Sequence, residues 1–529
     1  MFKLKVLSQV VAAAVASSFL VGCGGGSSSG TAASTTTNVS GSAFASYVSG
    51  AQVEVQDVNG NRIAGPVSTN ASGRFTVPVP NANLAGKLVF MATGGTYTDE
   101  ATGEQTTSGE LSVLAEANAL TGAPSVHATP SSSILNKLMT KHGLSKAEAE
   151  AAFTAAFGYL PDSAVAPVDA TQENADASED AKRAGVRAAA FSQLLKNLNL
   201  DKGDHSALLE ALAEDLVDGT IDGMNGAAAV QLKGGAVRPD MASQFAMALM
   251  DFANDATKNK SGLNPGQVGL IKFNGKAVSE NYTFELTPPM MTEVGKAEYK
   301  LKVTNNTDGS AVANEPVMMM PMMYMAAGHK HSTPHSGCTD TNAEGIATCT
   351  AYFLMASAMG NGDVMGNWDL KFTHDSESVH FFPKVMMAMG DDTSRLRLEG
   401  DAADADHVQD MMGNDAGRKY FIYKDSVMGT TGDHVVKFFV ATQDSMMSFP
   451  AVDGTLGGET VELSIDGVVA TPMGSGVWKA TNNITTLTND QQGSVALKLS
   501  VGGVFKTLDE GDNDQNLDES TFKLTPKTM

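Results

Sequence analysis

Val317-Met318-Met319-Met320-Pro321-Met322-Met323-Tyr324-Met325-Ala326-Ala327-Gly328-His329-Lys330-His331-Ser332-Thr333-Pro334-His335 places six thioethers ahead of three imidazoles. An extended Val317–Met325 sends alternate side chains to opposite faces. Met318, Met320 and Met322 then share one face, and Met319, Met323 and Met325 the other. One face of a sandwich strand normally meets water, so core packing explains one trio and leaves the other without a reason. Pro321 has no N–H, which puts the strand at a sheet edge or a bulge. Thioether sulfur selects Cu(I), and imidazole serves both copper oxidation states. Met318, Met319, Met320, Met322, Met323, Met325, His329, His331 and His335 are therefore candidate copper ligands. Two other readings stand beside this one: Met as a flexible filler of an irregular core, and a Met-rich adhesive patch.

The surrounding chain reads as strands of similar length. Gly269–Phe273, Tyr282–Leu286, Ala297–Val303, Ile346–Met355 and Trp368–Phe372 carry alternating or continuous apolar residues between turn signals. This pattern predicts an immunoglobulin-like sandwich over 263–390. A second sandwich is expected over 391–529, where Gly432–Val440 and Met446-Met447-Ser448-Phe449-Pro450 weakly echo the first. Cys338 and Cys349 flank Thr339–Gly345, which reads as a hairpin turn. Export favours a disulfide between them; two thiolate copper ligands are the alternative.

Composition supports a multidomain, mainly β chain of Greek-key or immunoglobulin-like sandwiches with a helical domain between them. At 529 residues there is room for about three or four domains. The net charge of −23 repels phosphate, which excludes nucleic acid as a partner. Of 28 Met, 19 lie between Met290 and Met447, and seven of ten His lie in the same third. Several of these Met, including Met355, Met359, Met365, Met387 and Met428, sit beside glycine-rich turns, where side chains tend to be exposed.

The N-terminus predicts export. Lys3 and Lys5 precede an apolar run from Val6 to Val21, as in a signal peptide. Leu20-Val21-Gly22-Cys23 resembles the bacterial lipobox. That resemblance makes 1–23 a lipoprotein signal peptide with its lipobox and implies cleavage before Cys23, lipidation of Cys23 and membrane attachment through that lipid, with Gly24 favouring the outer membrane. Residues 24–38 read as a flexible Gly/Ser/Thr tether. No later stretch is apolar for long enough to span a bilayer as a helix. The membrane, through the lipid, is the first expected partner; a metal ion and other envelope proteins are the rest.

Residues 39–122 alternate short strands with turns, notably at Asn59-Gly60, a hairpin cue. With Gly50-Ala51 and Ala71-Ser72-Gly73-Arg74-Phe75, this region resembles the carboxypeptidase regulatory-like domain, which implies a small non-catalytic sandwich serving as a spacer. From 123 to 262 the period changes to that of helices. Ser145-Lys146-Ala147-Glu148 is a capping box with Gly158 as its helix stop. Val186, Phe191, Leu194, Leu195, Leu198 and later Leu208, Leu209, Leu212 and Leu216 recur at helical spacing. Met241, Met247 and Met250 belong to a further helix core. Ala128–Leu135 and Glu214–Gly223 resemble the helical segment of bacterial surface lipoproteins.

Calcium is a secondary metal candidate at Asp218 and Asp222, or at Asp512, Asp514, Asn516 and Asp518. The first spacing fits no EF-hand loop, and a helix C-cap with a solvated turn explains it; the second alternates like the start of one, but Leu517 replaces the turn glycine and no Glu closes the loop, as in a solvated acidic tail. No nucleophile elbow, zinc-protease motif or phosphate loop is present, so no enzyme is expected. The Met-Pro-Met-Met and His-Lys-His pattern resembles periplasmic copper-resistance sandwich proteins over about 120 residues. That resemblance implies the metal class but no geometry. The expected function is copper handling by an anchored lipoprotein; the alternative is a structural or adhesive surface lipoprotein.

Overall fold

Gly295–Asn305 illustrates how this chain builds sheets. Ala297, Tyr299, Leu301 and Val303 point into a core, while Lys296, Glu298, Lys300 and Lys302 face solvent. The same period of two recurs in strands throughout the described residues, of which 41% are in strands and 17% in helices. The computed structural model describes residues 35–120, 122, 124–269, 271, 275–400, 404–409, 415–506, 508–509 and 520–528. The expected signal peptide with Cys23, the tether up to residue 34, Met411-Met412-Gly413 and the acidic run Asp512–Asp518 lie outside the described residues.

The first sandwich has two sheets. One orders Arg74–Pro80, Thr36–Ala43 and Ser125–Ala128; the other orders Arg62–Ser68, Gln52–Asp57, Leu88–Thr93 and Glu110–Ala115. The Asn59-Gly60 turn does join two antiparallel strands. Gly60 has φ of 83°, and the Asp57 carboxylate accepts from the N–H groups of Asn59 and Asn61 at 2.9 Å. Ser125–Ala128, beyond the expected boundary at 122, runs parallel to Thr36–Ala43 and closes the first sheet.

Ser125–Ala128 leads straight into helix α1 (Pro130–Thr140), capped by Thr129 with Pro130 in its first turn. Helix α2 (Lys146–Phe157) carries the expected Ser145/Glu148 capping box and ends at left-handed Gly158. Helices α3 (Glu179–Asn197), α4 (His205–Asp215) and α5 (Met241–Asn254) complete the helical part. Their apolar faces join the first sandwich in one continuous core, from Val39 and Phe90 through Leu194 and Leu209 to Met241, Met250 and Phe252.

The middle sandwich packs a five-stranded sheet on a four-stranded one. The first orders Lys276–Val278, Tyr282–Thr287, Gly295–Asn305, Ile346–Phe353 and His335–Cys338; the second orders Lys330–His331, Met318–Met325, Gly366–His374 and Glu377–Phe381. Asn367, buried in the second sheet, ties down the preceding linker: its side chain donates to the Pro265 and Gly269 carbonyls and accepts from the Ile271 N–H.

The C-terminal sandwich centres on the long hairpin of Lys419–Thr430 with Asp433–Gln443, faced by Glu459–Ile465 and Gly493–Val501. Lys506 lies buried between Asp404 and Asp406, so the charge is paired where it leaves water. The two later sandwiches meet through Tyr352, Phe421, Tyr423, Phe439 and Phe449. Tyr352 and Phe439 stack at 3.9 Å between ring centres, and the Tyr352 hydroxyl reaches Asp425 at 3.0 Å.

Candidate metal centre

Met318–Met325 is a strand and pairs along its whole length with Gly366–His374. On its other side only Met323 and Tyr324 are paired, to His331 and Lys330. Met318–Met322 therefore run along an open edge. The missing N–H of Pro321 falls on that edge, and its carbonyl accepts from the Ser332 hydroxyl at 2.8 Å. A proline at this place costs the sheet no hydrogen bond.

Burial alternates as a two-residue period requires. Met319 and Met323 are buried among Trp368, Leu370 and Phe372, and Met325 is half-buried against the same core. Met318 is 67% exposed and Met320 55% exposed, while Met322 is half-buried. Directly across the sheet from Met320 is Lys371, and across from Met322 is Asp369. His380 stands next to Lys371 on the following strand, with Nδ1 at 2.9 Å from each Asp369 oxygen. The outer face thus offers three thioethers and one imidazole already engaged with a carboxylate.

The three histidines that follow the strand go to three different places. His329 is exposed in the turn, and its carbonyl accepts from the Met325 N–H at 2.9 Å. His331 turns inward, 3% exposed, with its ring edge-on to Trp368 at 5.3 Å. His335 lies on the facing sheet, opposite Ala351. Its Nδ1 is buried without a hydrogen-bond partner, and burial pushes its pKa down. Among the described residues no group of three or more His, Cys, Asp or Glu is placed to hold a metal.

Cys338 and Cys349 are direct partners on adjacent antiparallel strands and form a disulfide. Both sulfurs are consumed by the bridge, so neither is a thiolate ligand. Asp218 and Asp222 serve their own turn: Asp218 accepts from the N–H groups of Thr220 and Gly226, and Asp222 from that of Met224. Gly219, in the left-handed region at φ 94°, ends the preceding turn of helix.

One neighbour was not legible as a site residue. Met355 follows the strand Ile346–Phe353, and its Sδ lies 3.3 Å from His331 Nε2. In the sequence it reads as the end of the strand expected over Ile346–Met355 and as one of several Met near the turn at Gly360-Asn361-Gly362; the strand itself ends at Phe353. The pair is 24 residues apart and forms only when the two sheets close on each other. The terminal position of Met355, just beyond a buried strand, is the one local signal that marks it.

No protein-family model matches the chain, and no curated protein matches it. Among solved structures, the adhesin InvE of Yersinia pseudotuberculosis aligns over 48% of this chain and 61% of its own, at 11% identity and a TM-score of 0.16. A likeness of that size carries no argument about fold or function.

Proposed function

We propose that the chain is an exported, lipid-anchored protein of the cell envelope that binds copper without catalysis, through the Met/His-rich face of its middle sandwich. The carrying observation is the outward trio of Met318, Met320 and Met322 on one open-edged strand. Core packing accounts for Met319, but it has no use for thioethers exposed to water. Further Met are exposed in the same sandwich at Met290, Met291, Met359, Met387 and Met389. Thioethers suit an oxidising compartment, in which the two thiols of this sandwich have already become a disulfide. Lys371 beside Met320 opposes a cation, and Asp369 beside Met322 favours one, so the Met322 end of the face is the better site.

The test is a competition for Cu(I) between the protein and a chromogenic chelator. Leu replaces Met with little change in volume and should cost less than about 1.5 kcal/mol at each site. Met318→Leu, Met320→Leu and Met322→Leu together should leave the fold intact and lower copper uptake. Wild-type protein that takes no Cu(I) from the chelator would return the chain to the structural or adhesive reading.

A further inference from the structure

His331 is held in a state that leaves one nitrogen without a proton donor. Its Nδ1 lies 2.7 Å from the Ser332 carbonyl oxygen. A carbonyl only accepts, so Nδ1 carries the proton and donates. In a neutral imidazole the other nitrogen is then a bare acceptor. Burial disfavours the charged ring and pushes its pKa down. The Nε2 lone pair faces Met355 Sδ at 3.3 Å. A thioether sulfur has no proton to give. Two acceptors therefore face each other inside the sandwich, which leaves a buried nitrogen unsatisfied. An electron-pair acceptor between them would satisfy it.

We propose that His331 Nε2 and Met355 Sδ are two ligands of an interior site for a soft monovalent ion, Cu(I), with Met323 as the third ligand and Trp368 as the wall. This site rests on the soft-metal reading above but not on the outer Met trio. Taking the bond lengths of zinc as a guide, roughly 2.0 Å to nitrogen and 2.3 Å to sulfur, the 3.3 Å separation subtends about 100° at an ion held between the two atoms. That angle is close to tetrahedral. Met323 is the register partner of His331 on one side and of Trp368 on the other. Directly opposed residues leave a sheet on the same face, with Cβ atoms about 5 Å apart. Met323 is fully buried, so its flexible side chain already lies inside.

The surroundings fix the ligands as a metal site requires. A ligating imidazole usually donates its second N–H to a carbonyl, which sets the tautomer; Ser332 supplies that carbonyl. The Trp368 indole N–H donates to the Met355 carbonyl at 3.0 Å and anchors the main chain that carries the sulfur. Two thioethers and one imidazole, with no carboxylate among them, favour Cu(I) over Cu(II).

Trp368 reports on the site. The chain has two tryptophans, and Trp478→Phe in the C-terminal sandwich leaves Trp368 as the sole indole. Ag(I) serves as a redox-inert probe with the same closed shell as Cu(I). One equivalent of Ag(I) should quench Trp368 emission in this protein. Adding Met355→Leu should weaken that quenching affinity at least tenfold with the thermal melt unchanged. Met323→Leu, a second volume-conserving change, should weaken it as well. The triple Leu variant of the outer face should leave it as it was. The inference is overturned if Trp368 is quenched equally with and without Met355, or if the outer triple variant abolishes the quenching. Copper uptake from the chelator with Trp368 silent would sink the interior site alone. No uptake of either ion would sink this site and the proposed function together.

Discussion

His205 shows what burial does to a single imidazole in this molecule. It lies at the seam between the first sandwich and α4, with its ring 6.3 Å from that of Tyr97 and its Nε2 buried without a partner. Desolvation lowers its pKa from 6.5 to about 4. The unfolded chain therefore binds a proton between those values that the folded one refuses. The His205 contribution to stability is fully present above pH 6.5 and is lost as the pH falls towards 4. Over that window the loss is about 3 kcal/mol. Glu100 pulls the other way: burial holds its carboxyl well above the usual range, so its contribution is present in acid and lost as the pH rises. Comparing wild type with His205→Gln cancels the Glu100 effect. The stability difference between the two should shrink by about 3 kcal/mol from pH 7 to pH 4, read by chemical denaturation at each pH. A difference that stays constant with pH would show that His205 titrates normally. At this same scale the sequence was a partial guide to the metal centre. It showed which Met would share a face, because strand period is local. It could not show that His329, His331 and His335 would part, because a turn and a crossing between sheets separate them.

Among the elements, the Met strand and the helix caps were the most legible. Ser145-Lys146-Ala147-Glu148 and Gly158 bound α2 because their capping chemistry is complete within a few residues. Pro321 limited Met318–Met325 to a sheet edge or a bulge, and the structure shows an open edge along Met318–Met322. Strand Ser125–Ala128 was harder to place. Its partner Thr36–Ala43 lies some ninety residues away, and the pairing is parallel. Its four residues carry too short a period to reveal it. The hairpin from His335–Cys338 to Ile346–Phe353 carries its own test. The bridge between Cys338 and Cys349 closes a loop with a sequence separation of 11. A loop of that size contributes about 2–3 kcal/mol by restricting the unfolded chain. Cys338→Ser with Cys349→Ser should lower stability by that amount, measured by denaturant titration. Wild type taken from the envelope without reductant should show neither thiol to an alkylating agent. Two reactive thiols would contradict the bridge.

Across the whole molecule, sequence reading was right about class and less informative about seams. Sandwiches with helices between them were legible from period, but the fusion of the first sandwich and the helices into one core was not. The fusion buries Tyr97, Asp99 and Glu100 of the first sandwich against the helical part, where the Ser192 hydroxyl donates to Glu100 at 2.8 Å. Such pairing of buried polar groups depends on tertiary placement and leaves no local pattern. The aromatic seam at Tyr352 and Phe439 likewise joins two sandwiches through residues that read as ordinary strand interior. Between these seams lies the Met/His sandwich, the proposed site of copper binding by thioether sulfur. X-ray absorption at the copper edge of Cu(I)-loaded protein reads the ligand atoms. Thioether binding gives a sulfur shell, at about 2.3 Å with the zinc–sulfur distance as a guide, and a nitrogen contribution at about 2.0 Å. A spectrum fitted by nitrogen and oxygen neighbours alone, without sulfur, would contradict it.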